Sequence, residues 1–341
     1  SFVAPVYISE VAPASHRGKL VSLNQLAVTI GILVAFLVDA YCSQHFSDAL
    51  AWRWMFGVGM VPATILFVGL LFLPKSARWL LLQGRQEEAL ATLRKLRCQQ
   101  DVSDEMALMQ ANLTVKSSWK DLLQPWLRPA LLIGIGLGFF QQFTGINTII
   151  YYAPTIFQMA GQHSNTAAIL STIGVGVANV VFTVVALPLI DRLGRRPLLF
   201  IGLVLIVLSL LELAVAFRMG AGDGLLPVLA LSGMLLYIIG FAISLGPIMW
   251  LMFAEIFPLS IRARAASLVA AISWLFNGIV SGSFKSLVAN LGVSNTFSLY
   301  AIVAFIGLFF VYYCVPETKG VDLEIIEKNL RSGVAGRYLA R

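Results

Sequence analysis

The chain alternates between long apolar runs that lack charged residues and short segments that hold most of its Asp, Glu, Lys and Arg. A helix needs about 20 apolar residues to cross a bilayer core of about 30 Å. Eight runs have this length, one of them (197–217) only if it continues past the single charged residue Glu212, and a shorter run covers residues 1–9. The eight are 20–38, 54–74, two runs within 129–190 that are divided at 161–165 (GQHSN), 197–217, 225–254, 265–284 and 286–315. The pattern predicts an all-α membrane protein with many spans.

Composition supports the same interpretation, because 58% of the residues are hydrophobic and only 12% are charged. Soluble domains have roughly a quarter of their residues charged. These values exclude a disordered chain, a coiled coil and a soluble enzyme of one or two domains. Cys42, Cys98 and Cys314 lie far apart, so neither a disulfide framework nor a metal site is expected. The sequence has no P-loop, no HExxH motif and no nucleophile–base pair, so we expect a protein that is not an enzyme and holds no cofactor.

The positive charges lie almost entirely on one side of the predicted spans. When the segments are assigned to alternate sides, 21 of the 24 Lys and Arg fall on one side, and only Arg53, Arg218 and Lys285 fall on the other. Loops rich in Lys and Arg stay in the cytoplasm. Residues 75–128 and the C-terminus are therefore predicted to be cytoplasmic. The net charge of +7 then reflects membrane topology and does not indicate a nucleic-acid partner.

An internal repeat divides the chain. The pattern E-x-x-P-x-S-x-R begins at Glu10 and again at Glu255, and P-K-S at Pro74 corresponds to P-E-T at Pro316. Repeats of this kind indicate a duplicated helix bundle. We expect four parts: the end of a first bundle (1–74), a linker of short amphipathic helices (75–128), a complete six-helix bundle (129–315) and a tail (316–341). By this alignment the first bundle is truncated, with about three and a half helices missing before residue 1.

Uncharged polar side chains inside the spans are the candidate binding groups. Each amide can both donate and accept hydrogen bonds, which suits the hydroxyl groups of a neutral polyol. An indole ring can lie against the apolar face of a sugar. The alternative is that these amides only join helices to each other, as Asn and Gln often do in lipid. The candidates are Gln25, Gln141, Gln142, Asn147, Asn179, Ser273, Trp274 and Asn277.

Two spans are predicted to be broken. Gly145 interrupts one of them, and Gly246-Pro247 interrupts another, with Trp250 one turn later. Proline removes a backbone donor and glycine eases bending. Broken helices in two-bundle transporters line the binding site and move, although a static kink is the alternative here.

The sequence D-R-L-G-R-R at 191–196 joins two spans on the positive side. Arg195 and Arg196 could pair with carboxylates such as Glu255 or Asp191 and close a gate. Alternatively, these arginines serve only as a topology signal. The sequence alone leaves both interpretations open.

Two carboxylates lie within or at the end of spans. Glu212 is a functional candidate because a charge inside a span is costly, but its side chain could equally reach the membrane surface. Asp39 ends its span and is expected to be interfacial.

These motifs together resemble the sugar porter family of the major facilitator superfamily. The resemblance rests on the two E-x-x-P-x-S-x-R segments, D-R-L-G-R-R (191–196), Q-Q-F-T-G-I-N (141–147) with Tyr151-Tyr152, and P-E-T-K-G (316–320). It covers essentially the whole chain. It implies the major facilitator fold, with two six-helix bundles, and transport of a hexose or pentose monosaccharide by alternating access.

The resemblance also implies roles for individual residues. The sugar-binding positions are Gln25, Gln141, Gln142, Asn147, Asn179 and Trp250, with Trp274 and Asn277 as further cavity wall. Tyr151 and Tyr152 are similar to the tyrosines of the outer gate. The cytoplasmic gate network corresponds to Glu10, Arg17, Arg78, Asp191, Arg195, Arg196, Glu255, Arg262 and Glu317.

Two departures from the family pattern affect the expected mechanism. Lys75 stands where the family has a carboxylate, and Ala242 stands where many facilitators have an acid. The change at Lys75 affects one corner of the cytoplasmic network. The change at Ala242 favours sugar–proton symport in a bacterial inner membrane, with the proton as coupling ion, and we expect a monomer. The proton-carrying Asp of the family lies in the first helix, before residue 1. A facilitative uniporter is the alternative, followed by a non-transporting sugar sensor.

Overall fold

The structure is a computed structural model that describes residues 3–12, 17–99, 101–113, 119–161, 165–220, 225–258, 261–321, 323–334 and 336–339. Within these ranges, all regular secondary structure is helical. Eight helical segments are long and apolar enough to cross a membrane, as the apolar runs predict. Ser15, which belongs to the first repeat motif, lies outside the described residues.

The first part of the chain forms seven helices. They are α1 (Val3–Val11), α2 (Arg17–His45), α3 (Asp48–Val58), α4 (Met60–Phe72), α5 (Ala77–Leu82), α6 (Gln86–Arg97) and α7 (Ser103–Leu113). Together, α3 and α4 make one span, which bends at Gly59. Every residue of α4 is exposed although the helix is apolar. Such a surface is stable in lipid but not in water.

The second part of the chain forms the main core. Its helices are α8 (Arg128–Phe143), α9 (Ile146–Tyr151), α10 (Ala153–Met159), α11 (Asn165–Leu193), α12 (Arg195–Met219), α13 (Leu226–Ile243), α14 (Leu245–Ile256), α15 (Arg262–Leu291) and α16 (Val293–Cys314). Helix α12 is central, since it packs closely against both α13 and α16. Its residues Leu199, Leu203 and Ile206 are fully buried.

Both predicted breaks are present, but the second lies two residues earlier than the sequence indicated. Helix α8 ends before Gly145, which has a φ of 94°. The other break is at Ser244, where φ is −130° and ψ is −96°. Pro247 lies in the first turn of α14, where helical backbone N–H groups have no partner within the helix. Proline therefore begins the second half-helix rather than interrupting it.

The segment between the two groups of spans forms short helices with a separate small core. Ala77, Leu80, Ala89 and Leu93 of α5 and α6 are buried in it, and α7 packs against them. Arg97 binds Glu105 at 2.7 and 2.9 Å and also donates to the carbonyl of Val11 at 2.8 Å. A cation at the C-terminal carbonyls of a helix is stabilising. Arg97 thus joins this small core to the end of α1.

The tail folds back onto the second group of spans. Helix α17 (Leu323–Arg331) packs against α14 and against the 3-10 turn Pro125–Leu127. Its apolar residues Ile326 and Leu330 are buried, and the Arg331 guanidinium lies 4.5 Å from the ring of Trp126. The tail therefore connects the end of α14 to the start of α8.

Helices α2 and α11 meet closely and join the first group of spans to the second. The closest approach is at Gly176, where an added Cβ would lie 2.9 Å from Phe36 and 3.1 Å from Leu33. Gly174, two residues earlier on the same helix, has open space around it. Small residues let membrane helices pack closely.

We predict that Gly176→Leu lowers the stability of the protein by about 1–3 kcal/mol, the usual cost of overpacking a close contact. Gly174→Leu is the matched control and should have little effect. The measurement is thermal unfolding of the two purified variants in detergent. Equal unfolding temperatures for the two variants would contradict the close contact between α2 and α11.

Candidate functional site: an amide cluster between two helix breaks

The break between α8 and α9 brings three amide side chains together. Gln141 and Gln142 lie in the last turn of α8, and Asn147 lies in the first turn of α9. The turn between the two helices requires Gly145, because its φ is positive and an added Cβ would lie 2.7 Å from the ring of Tyr300. A side chain would thus be both strained and crowded at this position.

The three amides form a continuous hydrogen-bonded chain. Asn147 Nδ2 donates to Gln142 Oε1 at 2.6 Å, and Gln142 Nε2 donates to Gln141 Oε1 at 3.0 Å. Gln142 Nε2 also lies 3.4 Å from Ser273 Oγ of α15. Gln141 and Gln142 are buried, with 4% and 8% of their surface exposed, and Asn147 is half-buried. The structure therefore brings together three of the predicted sugar-binding residues.

A backbone carbonyl at each helix break accepts a hydrogen bond from a side chain of another helix. Gln141 Nε2, at the first break, donates to the carbonyl of Leu245 at the second break, at 3.0 Å. At the first break, the carbonyl of Thr144 accepts from the hydroxyl of Tyr237 in α13, also at 3.0 Å. Both contacts are buried. The breaks thus form one connected unit, and Tyr237 and Thr144 are members that the sequence did not indicate.

Helix α15 provides one side of the cluster. Ser273 and Asn277 are buried and one turn apart, and Ser281 Oγ donates to Asn277 Oδ1 at 3.3 Å. Trp274 differs from them, because 52% of its surface is exposed. One-residue steps around a helix turn by about 100°. The spacing of Ser273, Trp274 and Asn277, at i, i+1 and i+4, predicts that one helix face presents all three. In the structure, Trp274 lies on a different face from the buried pair.

Three other predicted binding residues lie on α2, α11 and α14. Asn179 of α11 is buried, and Gln25 of α2 and Trp250 of α14 are half-buried. Trp250 makes an edge-to-face contact with Phe253, with ring centroids 5.7 Å apart. In the described part of the chain, the hydrogen bonds above do not connect these three residues to Gln142.

The two adjacent tyrosines point to different surroundings. The Tyr152 ring lies 4.8 Å from that of Phe284, tilted by 40°, and its hydroxyl donates to the carbonyl of Ser281 at 3.1 Å. Tyr151 is 54% exposed and lines a cavity of about 280 Å³ between α2, α10 and α11. Asp39 lines the same cavity. The sequence indicated only that Asp39 ends its span, and a carboxylate within an apolar segment was the available signal.

A second polar network lies at the positively charged ends of the spans. Arg195 binds Glu255 through two hydrogen bonds of 2.7 and 3.2 Å, which confirms a pair that the sequence suggested. Glu317 accepts the backbone N–H groups of Arg195 and Arg196 at 3.0 and 2.9 Å. A carboxylate at a helix N-terminus is favourable. Glu317 therefore caps α12.

The two repeats make the same contact. Ser76 Oγ donates to Glu10 Oε2 at 2.6 Å, and Thr318 Oγ1 donates to Glu255 Oε2. The residue before the hydroxyl differs between the repeats. Glu317, before Thr318, caps α12, whereas Lys75, before Ser76, lies 5.0 Å from the ring of Trp79. The duplicated motifs therefore correspond in structure as well as in sequence.

The remaining gate residues differ in exposure and in the contacts of their side chains. Asp191 is exposed, Arg78 is half-buried, and Arg262 Nε donates to the carbonyl of Phe257 at 3.0 Å. Arg196 Nη2 donates to the carbonyl of Tyr312 at 2.7 Å. The side chain of Arg17 lies outside the described residues. Glu255 binds Arg195, because α14 and α12 are adjacent.

Glu212 is held within the span region by a neighbouring helix. Ser232 of α13 donates to Glu212 Oε1 at 2.5 Å, and the Glu212 side chain is half-buried. The contact gives this carboxylate a partner between helices. This hydrogen bond explains how Glu212 is held within the span region without requiring a role in ligand binding.

Comparison with known proteins identifies the family of the chain. The family model described as "Sugar (and other) transporter" matches residues 1–330. The chain belongs to the sugar transporter family. Among its relatives is the metabolite transport protein YwtG of Bacillus subtilis (strain 168), which is 41% identical over 344 residues, covering 98% of this chain and 74% of the relative. The galactose-proton symporter of Escherichia coli (strain K12) is 38% identical over 336 residues, covering 98% and 72%.

The solved structures also match this sugar transporter family member. The proton:xylose symporter XylE of the major facilitator superfamily, bound to 6-bromo-6-deoxy-D-glucose, has a TM-score of 0.77 and 34% sequence identity. The match covers 96% of this chain and 69% of XylE. The fold is therefore that of the major facilitator superfamily. The chain is an integral membrane transporter and not an enzyme.

The cap on α12 in this transporter depends on Gly194. Its φ is 91°, and an added Cβ would lie 2.7 Å from Glu317 Oε2. Gly220, at the other end of α12, has a φ of 83° but open space around it. A side chain at Gly220 would therefore cause backbone strain alone, whereas a side chain at Gly194 would also displace Glu317.

We predict that Gly194→Ala destabilises the protein more than Gly220→Ala. Both variants place a side chain at positive φ with ψ near 180°, which costs about 1–3 kcal/mol. Only Gly194→Ala also displaces Glu317, and a hydrogen bond to a charged group contributes about 1.5–3 kcal/mol. Thermal unfolding and amide exchange at residues 195 and 196 are the measurements. Unchanged exchange at these amides in Gly194→Ala would show that Glu317 does not cap the helix.

Proposed function

We propose that the protein carries a monosaccharide across the membrane by alternating access, with the amide cluster as its sugar-binding site. The observation that carries this proposal is the chain from Asn147 through Gln142 to Gln141, which is uncharged and lies beside two helix breaks. Uncharged donors and acceptors suit sugar hydroxyls, because a neutral ligand offers no charge to offset a buried ion.

Sugar–proton symport is the mode that we propose. It is supported by the relatives named as a galactose-proton symporter and a proton:xylose symporter. Hexoses and pentoses are thus both candidate substrates. Proton uptake that depends on added sugar, measured in vesicles, tests the coupling. Sugar uptake without proton uptake would favour the facilitative alternative, and binding without uptake would favour a sensor.

The positively charged ends of the spans are proposed to face the cytoplasm of the cell, with the protein in the plasma membrane. Support comes from the distribution of Lys and Arg described above. Cysteine-specific labelling of exposed Cys98, in intact cells and in opened cells, tests this orientation. Labelling of Cys98 in intact cells by a membrane-impermeant reagent would reverse the assignment.

Gln142 provides the sharpest test of the binding site. It is the middle member of the amide chain, and its side chain contacts Gln141, Asn147 and Ser273. We predict that Gln142→Ala weakens sugar binding about tenfold or more, since an unmatched buried polar partner costs about 1–3 kcal/mol. Binding of galactose, xylose and glucose to the purified protein is the measurement.

Gln83→Ala is the control for this variant, because Gln83 is exposed and lies at the end of α5, away from the cluster. It should leave binding unchanged. If Gln142→Ala and the parent bind the same sugar equally well while both remain folded, the amide cluster is not the site.

The charged network is proposed to act as a gate by holding the second half-helix, α14, in one position. Arg195 and Thr318 hold Glu255 near the end of α14, and the other end of α14 follows the break at Ser244. Helix α14 also contacts α2 of the first group of spans. Release of Glu255 would therefore let α14 move relative to α2.

We predict that Glu255→Gln increases the accessibility of the half-buried neighbour Ala254, probed as Ala254→Cys in a background without the three native cysteines. A shift of about 1.4 kcal/mol between two states changes their ratio tenfold, so faster maleimide labelling is expected. Glu327→Gln is the control, because Glu327 forms only a surface pair with Arg331. Equal labelling in both variants would leave these residues without a gating role.

A further inference from the structure

A cavity of about 310 Å³ lies at the positively charged end of the spans, away from the amide cluster. It is formed where α8 begins, where α16 ends and where the tail returns. Its lining includes Arg128, Leu132, Ile133, Tyr313, Cys314 and Gly336. Cavities of about 300–1,000 Å³ are large enough for small ligands. Its position is at the boundary of the apolar layer, since both helices are membrane spans that end there.

The cavity combines positive charge at its mouth with an apolar wall. Arg128 is exposed at the start of α8, and no carboxylate is among the described residues that line the cavity. Leu132 and Tyr313 are 55% and 64% exposed on the surface that faces lipid. Tyrosine is typical of the membrane interface. This arrangement fits a ligand with an anionic head and an apolar chain.

Two further arginines lie against Tyr312, which precedes the lining residue Tyr313 in sequence. The Arg337 and Arg196 guanidinium groups lie 4.5 and 5.5 Å from the ring of Tyr312, the residue before Tyr313. Arg337 follows Gly336 of the lining, and its Nε is buried without a hydrogen-bond acceptor in the described part of the chain. Arginine binds phosphate through several N–H groups at once. Arg128 in the lining, and Arg337 next to Gly336 of the lining, are thus the candidate cationic groups for one phosphate.

We propose that this cavity binds an anionic phospholipid, with its phosphate at Arg128 and Arg337 and an acyl chain along Leu132 and Tyr313. Basic pockets between membrane helices are suited to anionic headgroups. The excess of positive charge favours an anionic lipid over a zwitterionic one, whose amine would be repelled. The occupant would join the start of α8 to the tail, and this role is separate from sugar binding.

Cys314 allows a direct measurement, because it lines the cavity while Cys98 is exposed on the distant linker. We compare maleimide labelling of both thiols in nanodiscs of phosphatidylcholine alone and in nanodiscs that also contain phosphatidylglycerol. Labelling of Cys314 should slow about tenfold at nine-tenths occupancy, because its rate follows the free fraction of the site. Labelling of Cys98 is the internal reference for changes in surface potential.

Arg128→Gln should abolish the slowing, and Arg128→Lys should retain part of it. Arg192→Gln is the matched control, since Arg192 is an exposed arginine on the same face but outside the cavity, and it should keep the slowing. Equal slowing in Arg128→Gln and Arg192→Gln, or no slowing in the parent, would overturn the proposal. Slowing by inorganic phosphate in phosphatidylcholine nanodiscs would also overturn it, because the site would then bind free phosphate.

Discussion

In an apolar layer, every backbone N–H and C=O group must find its partner within the protein, and each broken helix leaves some of them without one. This constraint explains the arrangement at the centre of the second group of spans. The carbonyl of Leu245 at one break accepts from Gln141 at the other break, and the carbonyl of Thr144 accepts from Tyr237. Each of these two carbonyl groups therefore has a buried side-chain donor.

The same constraint links stability to binding. Gln141 uses one donor to stabilise the second break, and its oxygen accepts from Gln142. A ligand that competes for Gln142 would therefore act on Gln141 and, through it, on the start of α14. Helix α14 carries Glu255 at its other end. The amide cluster contacts one end of α14, and the charged network contacts the other end. A rigid α14 is therefore sufficient to connect them.

Much of the fold follows from the sequence, because span length and charge placement are local properties. The breaks were also predictable, since glycine and proline act on their own backbone. The second break was misplaced by two residues because Pro247 could either interrupt a helix or begin one, and only packing decides this. The partner of Glu255 was found, but the contacts of Tyr237 and Asp39 were not. Those contacts depend on which helices are adjacent, and a single sequence contains no direct signal for that.

The matching hydroxyl–carboxylate contacts of the two repeats have a consequence for how the protein is made. Ser76 and Glu10 are 66 residues apart, and Thr318 and Glu255 are 63 apart. Each contact closes a loop within its own half, and neither crosses the linker. At a synthesis rate of about 5–20 residues per second, the second half emerges over roughly 10–40 s. The first contact is therefore available to form before the residues of the second have left the ribosome, and the two halves can assemble in order.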